Sequence, residues 1–232
     1  MPKNTQVEFD AFDRNYRETV NQALAFSGMK VDFFTRVKAE YFVDLIKSLR
    51  PPAAHAEVID IGCGVADSHP LFAGRVGKLV GVDVSQACIA RAAEHNPQNT
   101  YRVYDGINLP YSDASFDAAS AVCVFHHVPI AARIALAKEV RRVLRRGGLF
   151  AIFEHNPLNP LTRHVVNHCE FDRNAILLRA GSAERLLEDA GFHDVATRFI
   201  LTLPIGGFLL RAVDRLFARL PLGAQYLTVG RA

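Results

Sequence analysis

No stretch of this chain approaches the run of about 18 apolar residues that suggests a membrane span. The nearest, Phe199 to Leu210, is shorter and is interrupted by Pro204, Gly206 and Gly207. Nothing apolar follows the opening Met1-Pro2-Lys3-Asn4-Thr5-Gln6, so no signal peptide is expected. None of the four cysteines, Cys63, Cys88, Cys123 and Cys169, stands in a C-x-x-C pair. Neither a zinc site nor a redox motif is therefore indicated, and no metal is expected. Free cysteines packed as small hydrophobes suit a reducing compartment, with the cytoplasm as the expected address. A formal charge of +3 is too small to imply a nucleic-acid partner by itself. Internal repeats and low-complexity segments are also missing. What remains is a 232-residue chain, half hydrophobic and 22% charged. That length builds one ordinary domain, or one domain with a modest insertion.

The most informative stretch is Val58-Ile59-Asp60-Ile61-Gly62-Cys63-Gly64-Val65-Ala66. An apolar run ending in an acid reads as a buried parallel strand, and the glycines let the backbone turn sharply beneath a ligand. A second such strand, Leu79-Val80-Gly81-Val82-Asp83, places its acid about twenty residues beyond the glycines, the layout of a nucleoside site in an open α/β sheet.

Residues from about Phe9 to Leu49 read as two helices broken near Ser27-Gly28, and Pro51-Pro52 ends the second. Strands then alternate with helical patterns, the signature of a parallel sheet with crossover helices. Strand candidates are 57–61, 79–83, 100–104, 116–124, 148–154, 194–203 and 224–230. Helix candidates are 68–73, 85–94, 129–144, 182–190 and 208–219. Arg141, Arg142, Arg145 and Arg146 close the helix at 129–144, where cations favour the C-terminal dipole. Residues 156–180 read as a long functional loop with some helix.

Five blocks in order, each at a predicted strand end, carry a family resemblance: Asp60-Ile61-Gly62-Cys63-Gly64, Gly81-Val82-Asp83-Val84-Ser85, Tyr104-Asp105-Gly106 with Leu109-Pro110, Phe116-Asp117 with Phe125-His126-His127-Val128, and Leu144-Arg145-Arg146-Gly147-Gly148-Leu149. The chain resembles the class I S-adenosylmethionine-dependent methyltransferases, in the small-molecule branch with a methyltransferase-11-like domain. Tyr16, the run Glu154 to Arg163 and the ending Leu220 to Tyr226 further resemble a bacterial subgroup whose members mostly lack an assigned substrate. The resemblance implies a Rossmann-like sheet of seven strands, mostly parallel with an antiparallel last strand, flanked by helices. A helical cap over 1–52 would precede the cofactor-binding domain of 53–232, with an acceptor loop at about 155–182 and a helical insertion at about 205–220.

The same resemblance implies S-adenosyl-L-methionine as cofactor. Asp60, Gly62, Cys63 and Gly64 would face its methionyl part and ribose. Asp83 would accept both ribose hydroxyls, with Val84 beside it also against the cofactor; Asp105 would face the adenine amino group with Gly106 keeping the approach clear, and Tyr16 would close over the cofactor. Ala66 replaces a third glycine common in relatives. Turn geometry, strand capping and core packing are the plain alternatives for the glycines, Asp60 and Tyr16.

Methyl transfer to oxygen usually needs a base, and histidine is the side chain best tuned for that near neutral pH. His126 and His127 follow the fourth strand and His155 the fifth, so all three should converge near the transferred methyl. One of them is a candidate base, with His127 and His155 first; shaping the pocket is the alternative. Arg163 or Arg173 is a candidate for an anionic acceptor group, against a reading as solvated arginines. In the 208–219 helix, Leu209, Val213, Leu216, Phe217 and Leu220 make an apolar stripe while Arg211, Arg215 and Arg219 recur at i, i+4. Packing against the sheet or a second subunit is one use of that stripe; a peripheral membrane contact or a lipid-linked acceptor is the other.

The residues point to a methyltransferase acting on a small-molecule acceptor, glycan-type or lipid-linked acceptors included, with oxygen as the expected methylated atom and nitrogen or carbon as the alternatives. No nucleic acid or transmembrane segment is expected, and a homodimer remains open. A nucleic-acid methyltransferase is disfavoured by the mild charge and by Phe125-His126-His127 standing where an Asn/Asp-Pro-Pro-aromatic motif would lie. A nicotinamide-dependent oxidoreductase lacks its G-x-G-x-x-G, because Asp67 holds the third position. A silent cofactor-binding protein is the last alternative.

Overall fold

The computed structural model describes residues 16–25, 28–49, 52–203 and 207–232, apart from the side chains of residues 16, 17, 207 and 208. Two helices, α1 (Tyr16–Leu24) and α2 (Val31–Ile46), precede seven strands: β1 (Glu57–Ile61), β2 (Lys78–Asp83), β3 (Thr100–Val103), β4 (Phe116–Val122), β5 (Leu144–His155), β6 (His193–Ile200) and β7 (Gln225–Arg231). Between them lie α3 (Gln86–His95), α4 (Ile130–Val143), α5 (Pro160–His168), α6 (Ala180–Asp189) and α7 (Gly207–Phe217). The strands form one sheet in the order β3-β2-β1-β4-β5-β7-β6. β1 to β5 run parallel, and β7 is antiparallel to both β5 and β6.

β1 is an unbroken apolar run because both of its faces are covered, as parallel strands require. Ile59 and Ile61 point into one core layer with Val80, Val82, Phe150, Ile152 and Leu136. Val58 points into the opposite layer with Leu79, Phe153, Phe42 and Ile46 of α2. Asp60 shares the α2 side of the sheet by the two-residue alternation of a strand. Strand order reverses between β1 and β4, and the crevice outside that switch point is where ligands bind in sheets of this kind.

Several boundaries differ from the sequence expectation. β5 starts at Leu144, directly from the end of α4, and Gly147 at φ +77° lies in the irregularity where the strand passes from pairing Phe116 to pairing Ala118. The segment after β5 holds a true helix, α5: Asn159 accepts a hydrogen bond from the Thr162 amide (3.1 Å), and Pro160 begins the first turn.

The largest difference concerns α7. The apolar stripe marked by sequence does not face the sheet: Leu209 and Leu216 are exposed, and Leu220 beyond the helix is as well. The inward residues are Leu210 and Asp214. The buried Asp214 carboxylate accepts from Tyr41 Oη of α2 (2.9 Å) and from the amides of Leu201 (3.0 Å) and Thr202 (2.9 Å). Arg211 pairs with Asp44 and Glu40 of α2. Polar anchoring to α2 and to the end of β6 therefore decides the orientation of this helix. A buried carboxylate left without its donors costs more than exposed leucines do.

Candidate active site

The glycine turn after β1 is held by the Gly62 and Cys63 amides, which both donate to Val82 O (2.7 and 3.0 Å). Gly62 has φ +68°, and a Cβ there would stand 2.6 Å from Val124 Cγ2, so glycine is required on both grounds. Gly64 is also left-handed, at φ +54°, yet a Cβ there would meet nothing within 4 Å. The space beside Gly64 is open because it belongs to a cavity of about 200 Å³.

The cavity lies between the ends of β1, β2, β4 and β5 and the inner face of α2. Asp60, Asp83, Ser120, Cys123 and His127 line it from the sheet side. Val31, Thr35, Lys38, Ala39 and Phe42, on one face of α2, close it from above. Lys38 is the one lysine or arginine among the lining residues. The left-handed turn at Cys123 (φ +57°), unusual for a side chain with a Cβ, directs the chain after β4 across the cavity mouth.

Asp83 is buried at the end of β2, where its two oxygens accept from the amides of Gly64 (2.8 Å) and Ser85 (2.9 Å). Burial pushes its carboxyl above the ordinary carboxylate range, against the pull of these backbone donors. Asp60 is tied down differently, accepting from Ser120 Oγ (2.6 Å) and facing His69 Nε2 (3.2 Å). His69 Nδ1 in turn lies 2.7 Å from Tyr101 Oη. Burial raises the Cys63 thiol well above its usual range, so it stays neutral. Val84 and Tyr104 reach the cavity wall.

Asp105 and Gly106 are not among the lining residues. The exposed Asp105 carboxylate accepts from the amides of Ile107 (2.8 Å) and Asn108 (2.6 Å) and from Asn108 Nδ2 (2.6 Å). The side chain of Tyr16 lies outside the described residues. Arg163 and Arg173 are exposed and do not line the cavity; Arg173 Nη2 is 3.5 Å from Glu170 Oε1.

The three histidines gather at one end of the cavity, with ring centroids 4.1 Å apart for His126–His127 and 5.3 Å for His126–His155. Their environments differ sharply. His126 is enclosed, its Nδ1 2.5 Å from Glu154 Oε2 and its Nε2 3.4 Å from Asp172 Oδ1. Burial pushes this imidazole down, but the two carboxylates outweigh it and carry the group up to about 10, so it is an imidazolium. Glu154 is fully buried and Asp172 nearly so; both are held below the ordinary carboxylate range despite burial, chiefly by the imidazoles they face.

His127 is pushed down by burial more than Asp172, 3.4 Å from its Nε2, pulls it up, and its ring packs edge-on against Phe171. His155 is driven down to about 4 by burial and then by the positive His126. Of the three, only His127 lines the cavity. Arg133 fixes the loop that carries His126 and His127, bridging Val128 O (2.9 Å) and Ile176 O (2.7 Å).

His126, His127 and Asp172 have the residue types of a divalent-metal site, with ligand atoms within 4.8 Å of one another. Asp172, His69 and Lys38 are participants the sequence does not single out, and Glu154 stands out there only as the first residue of the run to Arg163. A buried acid inside an apolar strand was the one available signal, and it pointed to Glu154 alone.

Residues 59–152 match the family described as a methyltransferase domain. Over these residues the chain is similar to the class I S-adenosylmethionine-dependent methyltransferases. Its sheet and helices superpose on a SAM-dependent methyltransferase, possible histamine N-methyltransferase, from Thermotoga maritima with a TM-score of 0.68, covering 98% of this chain and 99% of that one at 20% identity. Methyltransferase GfsG of Streptomyces halstedii is 28% identical over 94% of this chain and 88% of its own length. The 2-methyl-6-phytyl-1,4-hydroquinone methyltransferase of Synechocystis sp. is 30% identical over 56% of this chain, which spans 44% of that relative's length.

Within this class the cofactor is S-adenosyl-L-methionine, and the residues present fit it. Open space beside Gly64 admits a ligand against the backbone. Three acids, Asp60, Asp67 and Asp83, line the cavity against a single lysine, a balance suited to a sulfonium cation with ribose hydroxyls.

Proposed function

We propose that this chain is a methyltransferase that moves the methyl group of S-adenosylmethionine to an oxygen of a small-molecule acceptor, glycan-type or lipid-linked acceptors included. The observation that carries the reading is the placement of Asp83 and His127 on the walls of one cavity closed by α2. When bound, the donor supplies an activated methyl group, and the rest is positioning and exclusion of water. Asp83 has lone pairs left after its two backbone bonds and accepts the ribose hydroxyls. Asp60, fixed by Ser120 and His69, places negative charge near the sulfonium. Lys38 offers the donor's carboxylate a cation. The apolar side chains of Phe42, Phe72, Val124, Phe153 and Phe171 keep water from the reacting centre.

Among the histidines, the geometry favours His127 as the group that takes the acceptor's proton. His126 already holds its proton, and His155 is too weak a base. His127 is neutral near pH 7 and lies on the cavity, with Asp172 ready to stabilise the imidazolium that forms. Asp172 is a positioning residue here. The apolar balance of the walls and the phytyl-hydroquinone relative both favour an acceptor with a large hydrophobic part.

Calorimetry with S-adenosylhomocysteine and with NAD tests the donor; binding of NAD alone would end the reading. Mass spectrometry of acceptor-enriched extracts should show a gain of one methyl group. In His127→Ala, turnover should fall roughly 100-fold with donor affinity unchanged, as expected for loss of a general base. A carbon-methylated product, or full turnover in that variant, would remove the oxygen and base assignments.

A further inference from the structure

The exposed apolar side chains of this molecule are not scattered. Nine large hydrophobic residues stand exposed among the described residues, and six of them lie in two segments: Leu158 and Leu161 at the start of α5, and Leu209, Leu216, Leu220 and Leu222 along and just beyond α7. The two segments are fastened together. Asn159 Nδ2 donates to Leu222 O (2.8 Å), Asn156 Nδ2 to Pro221 O (3.0 Å), and Thr162 Oγ1 to Ala224 O (2.8 Å). Leu216, at 77% exposed, is the most open of all nine. Single exposed leucines need no explanation, but six on two segments fastened together mark a surface that meets something apolar.

Charge says what that something is. Residues 157–169 and 207–224 contain four arginines, Arg163, Arg211, Arg215 and Arg219, and a single carboxylate, Asp214. Asp214 is buried and faces Tyr41, and Arg211 turns toward α2. Arg163, Arg215 and Arg219 lie within the same two segments as the six leucines, and all three are exposed. Leucines rimmed by arginine, with no exposed acid in either segment, are the makeup of a helix that lies in a membrane interface. A symmetric dimer through the same face would set arginine against arginine, which opposes association. No helix among the described residues is long and apolar enough to cross a membrane, so the contact is peripheral.

We infer that the face formed by α7, residues 218–222 and the start of α5 docks on an anionic lipid bilayer, leucines inserted and arginines at the headgroups. The acceptor is then a molecule carried in that bilayer. Docking stands on its own observations; only the statement about the acceptor rests on the methyl-transfer reading above.

Flotation of the full chain with phosphatidylcholine vesicles, with and without phosphatidylglycerol, tests the surface. The protein should rise with the phosphatidylglycerol vesicles, less so at raised salt, and little with phosphatidylcholine alone. Leu216→Asp with Leu220→Asp should abolish flotation. Arg215→Gln and Arg219→Gln should each weaken it about fivefold, as loss of one surface cation near an anionic membrane predicts. These side chains are exposed and absent from the cavity, so thermal stability and S-adenosylhomocysteine affinity should not change in any variant. The inference is overturned if the wild type stays in the unbound fraction with both vesicles, if the leucine variant floats like the wild type, or if sedimentation shows a dimer that Leu216→Asp splits. S-adenosylhomocysteine binding reports separately on the methyltransferase reading, so failure of one is not confused with failure of the other.

Discussion

Glu154→Gln should lower the melting temperature by about 10 °C, the largest stability loss expected from a single change in this chain. The carboxylate is fully buried, and its oxygens meet both the ring and the amide of His126. Removing one member of a buried ion pair costs about 3–5 kcal/mol, because the remaining charge keeps its desolvation penalty without its partner. The sign of the pH dependence follows from His126. Its folded value, about 10, lies above the ordinary 6.5. The stability it contributes is therefore fully present below about pH 6.5 and lost as pH rises toward 10. Wild type should lose melting temperature across that window, and Glu154→Gln should show a flatter profile. Differential scanning calorimetry of both proteins from pH 6 to 10 reads the result; parallel profiles would mean that His126 is not charged in the fold.

Asp83→Asn should weaken S-adenosylhomocysteine binding about 1000-fold, or ~4 kcal/mol, if the carboxylate accepts two ribose hydroxyls with charge-assisted bonds. The amide keeps the shape of the side chain but loses the charge and presents a donor where acceptors are needed. Stability should fall by about 1–3 kcal/mol as well, because the amide nitrogen would face one of the two backbone donors, Gly64 N or Ser85 N, that the carboxylate satisfies. Titration calorimetry beside a thermal melt separates the two effects. Unchanged affinity would show that Asp83 serves only the turn, through Gly64 and Ser85.

The elements that sequence placed well are those whose cause is local. β1 and β2 are legible as apolar runs ending in acids because covering both faces of a parallel strand demands such runs. Gly62 is legible because a left-handed turn at a strand end selects glycine. Asp105 was less so. Sequence marks an acid and a glycine after β3; in the fold the Asp105 carboxylate accepts from the Asn108 side chain and from the amides of Ile107 and Asn108, partners no strand-end pattern announces. The histidine cluster was half visible: two strand ends brought His126, His127 and His155 together, while the split between a charged, a weak and a cavity-facing imidazole depends on Asp172, some 45 residues beyond His127 in the chain. No local pattern announces such a partner. α7 shows the opposite failure. Its apolar period was real, yet the buried carboxylate of Asp214 overruled it.

That carboxylate has one more effect. Through Tyr41, and with Arg211 holding Asp44 and Glu40, it makes α7 and α2 a single stiff unit, and α2 is the roof of the donor cavity. A load applied to the outer helix is felt at the ceiling over the donor. By reciprocity, whatever factor a seated surface contributes to donor affinity, a seated donor returns to the grip on that surface.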